Sequence, residues 1–256
     1  MNPRLRSIAL GLILPALLLI LWESQARRGG AHAYAFAPLG EIARSFVTML
    51  GDGLLLRQAG ASLQRALSAL IIGGGIGIIV GTALGIWRPF ERAATPFINT
   101  LRQVPILGWL PLIALWFGNG DGAKLLLVSL AAFYPTVLNT QKGLSGADRN
   151  LLEVGALYGF SRWQALRRIA WPSALPLLFT GISQALAFAW IATIGVELLF
   201  SASAGLGTEM MAAQVAARTD ILIICIICVG AMGFAMNQGF GVLRRHALRW
   251  QPARPQ

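Results

Sequence analysis

The chain has 256 residues, 56% of them hydrophobic and only 12% charged, with a mean hydropathy of +0.65. That balance excludes a disordered chain, which needs low hydrophobicity and high charge. It also argues against a soluble enzyme, because so much apolar surface cannot be hidden in one core of this size. The class that remains is an integral membrane protein. Net charge is +11, from 21 Lys and Arg against 10 Asp and Glu. Nucleic-acid binders gather such charge on one soluble face. Here the arginines fall between long apolar runs, so they set topology and imply no nucleic-acid partner.

A spanning helix needs about 20 apolar residues, so stretches free of charge mark the candidates in chain order. Residues 7–22 give 16, a short first span ending at Trp22. Arg4 and Arg6 before it and Ala31-x-Ala33 after it resemble a signal peptide, but the small-residue pair lies too far past the apolar run, which favours an uncleaved helix. The external segment from Glu23 to Arg65 is expected to carry a surface helix around Gly40–Leu50. Ala66–Trp87 gives 22 residues, Gln103–Gly120 gives 18, Leu125–Gln141 gives 17, Ile169–Val196 gives 28 and Ile221–Leu243 gives 23. Pro105, Gly108 and Pro111 interrupt the third stretch, which alternatively begins near Pro96 with Arg102 facing protein or headgroups. The expected fold is therefore an all-α membrane protein of six transmembrane helices.

Six spans put both termini on one side. With the N-terminus cytoplasmic, 14 basic residues fall inside and 7 outside, which favours that orientation. The 20-residue link Ser201–Asp220 is then external and contains Ala204-Gly205-Leu206-Gly207, a candidate re-entrant or interfacial piece.

Residues that could carry catalysis are few. His32 and His246 lie outside the spans, and the sequence has no catalytic-serine or phosphate-binding motif and no metal cluster, so no cofactor or metal is expected. Cys225 and Cys228 share one apolar run and read as packed membrane cysteines. Gly73, Gly77, Gly81 and Gly85 recur every four residues on one helix face, where another backbone can approach closely. The seam lies within the subunit or at a dimer contact, and the first is favoured. Glu197 is the one carboxylate at the edge of the fifth span, a candidate for the solute path or a gate, with Asp220, Glu209 and Arg218 near in sequence as possible partners.

The cytoplasmic loop from Lys142 to Arg168 is the most informative stretch. Asp148 can cap a short helix, Gly159 can end it in the left-handed conformation, and Ser161 with Gln164 forms a capping box for a second helix. Pro172 is expected to stop the loop before the fifth span. Leu152, Tyr158, Phe160 and Trp163 would then stand on a bent knob that a partner covers. The alternative is a helix lying on lipid headgroups.

This loop resembles the EAA loop of bacterial ABC importer permeases, with Glu153, Gly159, Ile169 and Pro172 at the matching positions. Val154 and Gly155 replace the two alanines, Ala156 follows them, and Trp171 replaces a leucine. The resemblance runs over roughly Ala61–Leu243. Leu101-Arg102-Gln103-Val104-Pro105, Pro135 to Gly143 (with Asn139) and Gly205-Leu206-Gly207 look like the sulfonate, taurine and nitrate type.

The resemblance implies an N-terminal helix with an external segment over 1–60, the permease domain over 61–243 and a basic cytoplasmic tail over 244–256. It implies a second permease copy, an ATPase subunit that binds the ATP, an extracytoplasmic solute-binding protein and a place in the bacterial inner membrane. Glu153, Gly155, Ala156, Gly159, Ile169 and Pro172 would couple to the ATPase. Arg102, Asn139 and Glu197 are the candidates for the path or gate, although no binding cage is visible in the sequence. The rival is a secondary transporter driven by an ion gradient, which would typically show intramembrane ionisable groups or repeated broken helices.

Overall fold

The computed structural model describes residues 3–28, 35–200 and 203–250. His32, Arg254 and the Ala31-x-Ala33 pair of the signal-peptide alternative lie outside the described residues. All regular structure among the described residues is helical. Helix α1 runs Pro3–Ala26, and its segment Ile13–Ala26 is apolar but short. Helix α2, Leu39–Gly51, covers the stretch where a surface helix was expected and lies against helices later in the chain.

Helix α3, Leu54–Ile86, begins well before its apolar run. Its 33 residues extend about 50 Å, more than the hydrocarbon thickness needs. The surplus first turns carry Gln58, Ser62 and Arg65, a polar stripe at helical spacing.

The third span is not one helix. Helix α4, Arg88–Leu101, is followed by a 3₁₀ turn, Ile106–Trp109, and helix α5, Leu110–Phe117, and the two parts meet at 89°. Pro105 supplies the break, since it has no N–H and biases Val104 away from helical backbone. The interruption expected at Pro105 is present, and the helical part of this stretch begins before Gln103, at Arg88.

Helix α6, Asp121–Ser145, and helix α11, Thr219–Ala247, are long and apolar enough to cross a membrane, as is α3. The fourth such helix runs from Arg162 to Leu199. It comprises a short helix α8, Arg162–Ala165, a π turn over Leu166–Ala170, and α9, Trp171–Leu199. Pro172 does not stop the loop as expected. It sits in the first turn of α9, where a missing N–H matters least, and the π turn before it closes with Trp171 N–H donating to Leu166 O. The six apolar stretches thus map to four long helices, one bent pair and one shorter apolar helix.

The centre of the bundle is α3, α6 and α9, held by small residues. The glycine face of α3 packs on α6 within the subunit. A Cβ at Gly77 would lie 2.8 Å from Thr136 Cβ, and one at Gly81 would lie 2.6 Å from Val137 O. One at Gly85 would lie 2.8 Å from Leu144 Cβ, and Gly73 presses on the Ser129 carbonyl. On the other side of α6, a Cβ at Gly181 of α9 would stand 2.6 Å from Asn139 Cβ. Without a hydrophobic drive between helices in lipid, such close backbone approach is what holds them. Ile71, Ile79, Leu115 and Ile227 remain exposed on the outer faces, which suits hydrocarbon rather than water.

Candidate functional site

Three regions carry the candidate residues. The first is the loop between α6 and α9. Asp148 caps helix α7, Arg149–Leu157, by accepting from the Asn150 N–H at 2.9 Å. Gly159 has φ +72°, and Phe160 N–H donates to Gly155 O at 2.9 Å, which closes the C-terminus of α7. Ser161 and Gln164 form the capping box, with Ser161 N–H donating to Gln164 Oε1 at 2.8 Å. The two short helices are therefore bent at Gly159.

Gly155 is buried, and a Cβ there would meet Ile169 Cδ1 at 2.8 Å and Phe160 Cδ2 at 3.3 Å. That packing pins α7 to the chain leading into α9. It also draws Phe160 half inside, where Arg168 lies over its ring at 5.4 Å, and Leu152 is likewise half-buried. The exposed apolar set differs accordingly: Leu157 at 87%, Tyr158 at 79% and Trp163 at 68% stand out with Leu151 and Val154. Glu153 and Ala156 are exposed too, and Glu153 reaches Arg149 at 3.6 Å. Ile169 is half-buried and Pro172 exposed.

The second region is the end of the bundle formed by the last turns of α9 and the first turns of α3 and α6. Glu197 is fully buried near the end of α9. Ser62 Oγ donates to its carboxylate, at 2.7 Å to Oε2, and the Gly207 N–H donates to Oε2 at 2.9 Å. Arg65 completes the set as its ion-pair partner. Arg65 also reaches Asp121 Oδ1 at 3.0 Å, and buried Lys124 donates to Ser203 Oγ at 2.7 Å. Gln58 Oε1 accepts from Gly205 N–H at 2.8 Å, and Ser62 Oγ accepts from Leu206 N–H at 2.8 Å. The Ala204–Gly207 stretch is thus tied down backbone group by backbone group.

A Cβ at Gly207 would lie 2.6 Å from Glu197 Cβ, so the glycine permits this seat. The link then forms helix α10, Leu206–Val215, lying against α3, α9 and α11.

The partners expected for Glu197 are corrected here. Arg218 pairs with Asp220 at 2.7 Å, and Glu209 accepts from Gln58 at 2.9 Å. Ser62, Arg65 and Lys124 are the residues missed. A charge count alone places Arg65 outside the span, whereas the spacing Gln58, Ser62, Arg65 on one helix face was the available signal.

The third region is a cleft of about 570 Å³ between the bent pair, α6 and α9. Arg102 and Asn139 both line it, together with Tyr134, Lys142, Gln184, Phe188 and Ile191. Glu197 does not. Asn139 Nδ2 donates to Pro135 O at 2.8 Å and to Gln184 Oε1 at 3.0 Å. The carbonyl can only accept, which fixes the orientation of both amides.

Elsewhere, no group of His, Cys, Asp and Glu that could hold a metal occurs among the described residues. Cys225 and Cys228 are free, buried and half-buried respectively.

The model of the family described as the binding-protein-dependent transport system inner membrane component matches residues 73–248. The chain belongs to this family. The permease is 32% identical to an Escherichia coli protein named for aliphatic sulfonates transport over 240 residues, covering 94% of this chain and 91% of the relative. It is 29% identical to the Escherichia coli taurine transport system permease over 253 residues, covering 97% and 92%. It is also 30% identical to the riboflavin transport system permease of Chloroflexus aurantiacus over 257 residues, covering 98% and 96%. Among solved structures, an amino acid ABC transporter matches with a TM-score of 0.65 at 18% identity, over 80% of this chain and 98% of that one. The inward-facing MetNI methionine ABC transporter matches with a TM-score of 0.55, over 73% and 96%. The permease therefore has the ABC transporter permease fold, and it is an inner-membrane transport subunit rather than an enzyme.

Proposed function

We propose that the permease is the membrane-spanning subunit of an ATP-driven importer of a small solute, an organic sulfonate, taurine, nitrate or a similar compound. It works as a pair of copies, receives solute from an extracytoplasmic binding protein, and binds no ATP itself. It crosses the inner membrane six times with both termini cytoplasmic, the permease domain proper occupying 61–243. The observation that carries the reading is the bent knob of α7 and α8. A helix pair that exposes Leu157, Tyr158 and Trp163 is built to be covered, and its last turn runs without a break into a spanning helix.

In this reading the ATPase subunit receives the knob, with Glu153 at the rim offering charge-assisted bonds. Gly155 packed on Ile169 keeps α7 against the chain leading into α9, so movement of the knob is passed on rather than absorbed, and Ala156 lies on the exposed face beside Glu153. Two states of the bundle suffice for alternating access. Arg102 and Asn139 belong to the path. Glu197 acts at its external mouth, where it holds the Ala204–Gly207 stretch in place.

The test is co-purification. The permease expressed with the ATPase encoded beside its gene should elute as one complex, and Trp163→Ala with Leu157→Ala should weaken that complex while leaving membrane abundance unchanged. A knob that can be stripped of both side chains without loss of the complex would refute the reading.

A further inference from the structure

Two cations stand in the cleft between the bend after α4, α6 and α9 with no described residue to neutralise them. Arg102 and Lys142 both line it, both are exposed, and neither has an ion-pair partner among the described residues. Among the described residues, no carboxylate lines the cleft. Elsewhere in the bundle the buried cations are matched: Arg65 has Glu197 and Asp121, and Lys124 has Ser203 beside them. Basic residues that merely set topology need only point into water or headgroups. These two converge on one concave surface.

The amides give the cleft direction. Because Asn139 spends both amide protons on Pro135 O and Gln184 Oε1, the Nε2 group of Gln184 remains a donor without a partner among the described residues. Gln184 lies on α9 one helical turn from Phe188 and two from Ile191, exposed at 52% and 66%, which give that wall its apolar surface. The guanidinium and the ammonium line the cleft from the bent pair and α6. A ligand that satisfies both walls has a compact oxyanion head and a short apolar body.

We propose that this cleft is a transient binding site for a small organic oxyanion of the alkylsulfonate kind, its head between Arg102 and Lys142 and its tail against Phe188 and Ile191. The assignment rests on the transport reading and narrows it: it selects the anionic class over a neutral solute such as riboflavin. A guanidinium fork and an ammonium bind oxyanions through charge-assisted hydrogen bonds. Both cations are open to water and screened by salt, so binding is weak, which suits a solute that has to leave again.

The experiment uses the purified permease in nanodiscs of uncharged phosphatidylcholine and follows trifluoromethanesulfonate by ¹⁹F line broadening. Wild type should broaden the probe saturably, with half-saturation on the order of millimolar. Ethanesulfonate should restore the narrow line; diethyl sulfone and riboflavin should not. Arg102→Gln and Lys142→Gln should each weaken binding about fivefold or more. Arg218→Gln, outside the cleft, should leave it unchanged. Wild-type binding in either cleft variant, an equal loss with Arg218→Gln, or equal competition by the sulfone would overturn the site. Competition is read on the wild type alone, so poor yield of a variant does not leave the question open. No ATPase is present, so a permease that binds the probe as described but never assembles with an ATPase loses the transport reading and keeps the cleft. One that couples to ATP yet binds no anion loses the cleft alone.

Discussion

Gly81→Ala adds a single methyl group to the seam between α3 and α6. Its Cβ would lie 2.6 Å from Val137 O and 2.7 Å from Thr140 Cβ, against an ordinary contact of 3.4 Å or more, a shortfall of 0.8 Å at the tighter point. Neither neighbour can rotate away, since one is backbone and the other the root of a β-branched side chain. The helices have to separate, and the glycines at 77 and 85 oppose a local tilt because they are equally tight one turn away in each direction. Overpacking of this kind costs about 1–3 kcal/mol. Alanine also favours helix over glycine by about 1 kcal/mol, which would mask part of the loss. Gly75→Ala removes that ambiguity: it lies in the same helix, nothing stands within 4 Å of its Cβ, and it gains the same propensity. The difference between the two variants should therefore be the full packing cost, about 2–12 °C in Tm at the usual scaling for a chain of this size. Thermal unfolding of the detergent-solubilised permease, followed by size-exclusion fluorescence, measures it. If Gly81→Ala and Gly75→Ala melt together, the seam is not packed as described.

Glu197→Ala should destabilise more than Glu197→Gln, because alanine leaves Arg65 buried beside an empty site, a loss of about 3–5 kcal/mol. Trypsin cleavage after Arg218, at the far end of the link, should accelerate in the alanine variant, and an unchanged cleavage rate would show that the carboxylate does not hold the link. Gly159→Val should strain a left-handed position by about 1 kcal/mol or more and should uncouple uptake from ATP hydrolysis at normal membrane abundance. Glu153→Lys should do the same by reversing the charge at the rim, and normal uptake in both variants would make the knob a lipid-surface helix. A reporter fused after Gln256 should be active only in the cytoplasm, and periplasmic activity would overturn the six-span topology.

The parts of this molecule that are written in local chemistry were legible before the structure. Asp148, Gly159, Ser161 and Gln164 specify their caps through bonds to residues within a few positions, so their pattern survives in one dimension. The glycine face of α3 was equally plain, because a period of four is a property of one helix. What it packs against was not, and the structure assigns α6. The partners of Glu197 were illegible for the same reason: Ser62 and Arg65 lie more than 130 positions away, and nearness in sequence pointed to Asp220 and Glu209 instead. Pro172 shows a different limit. A proline reads as a stop, yet a π turn immediately before it lets the helix continue. The basic cleft was hidden most completely, since Arg102, Lys142 and Gln184 each look like an ordinary helix-end or surface residue until three elements bring them together.

The uninterrupted run from Arg162 to Leu199 joins the exposed knob at one end to the buried carboxylate at the other. At 38 residues it is about 57 Å long. Treated as a stiff lever, it turns a tilt of about 5° at its Arg162 end into a sideways travel of about 5 Å at its Leu199 end, the height of one helical turn. Travel of that size is greater than any hydrogen bond can stretch. The clamp around Glu197 therefore cannot follow such a swing by bending its bonds. It must either move as one body with α9, carrying Ala204–Gly207 along, or let go of Ser62 and Arg65 on α3.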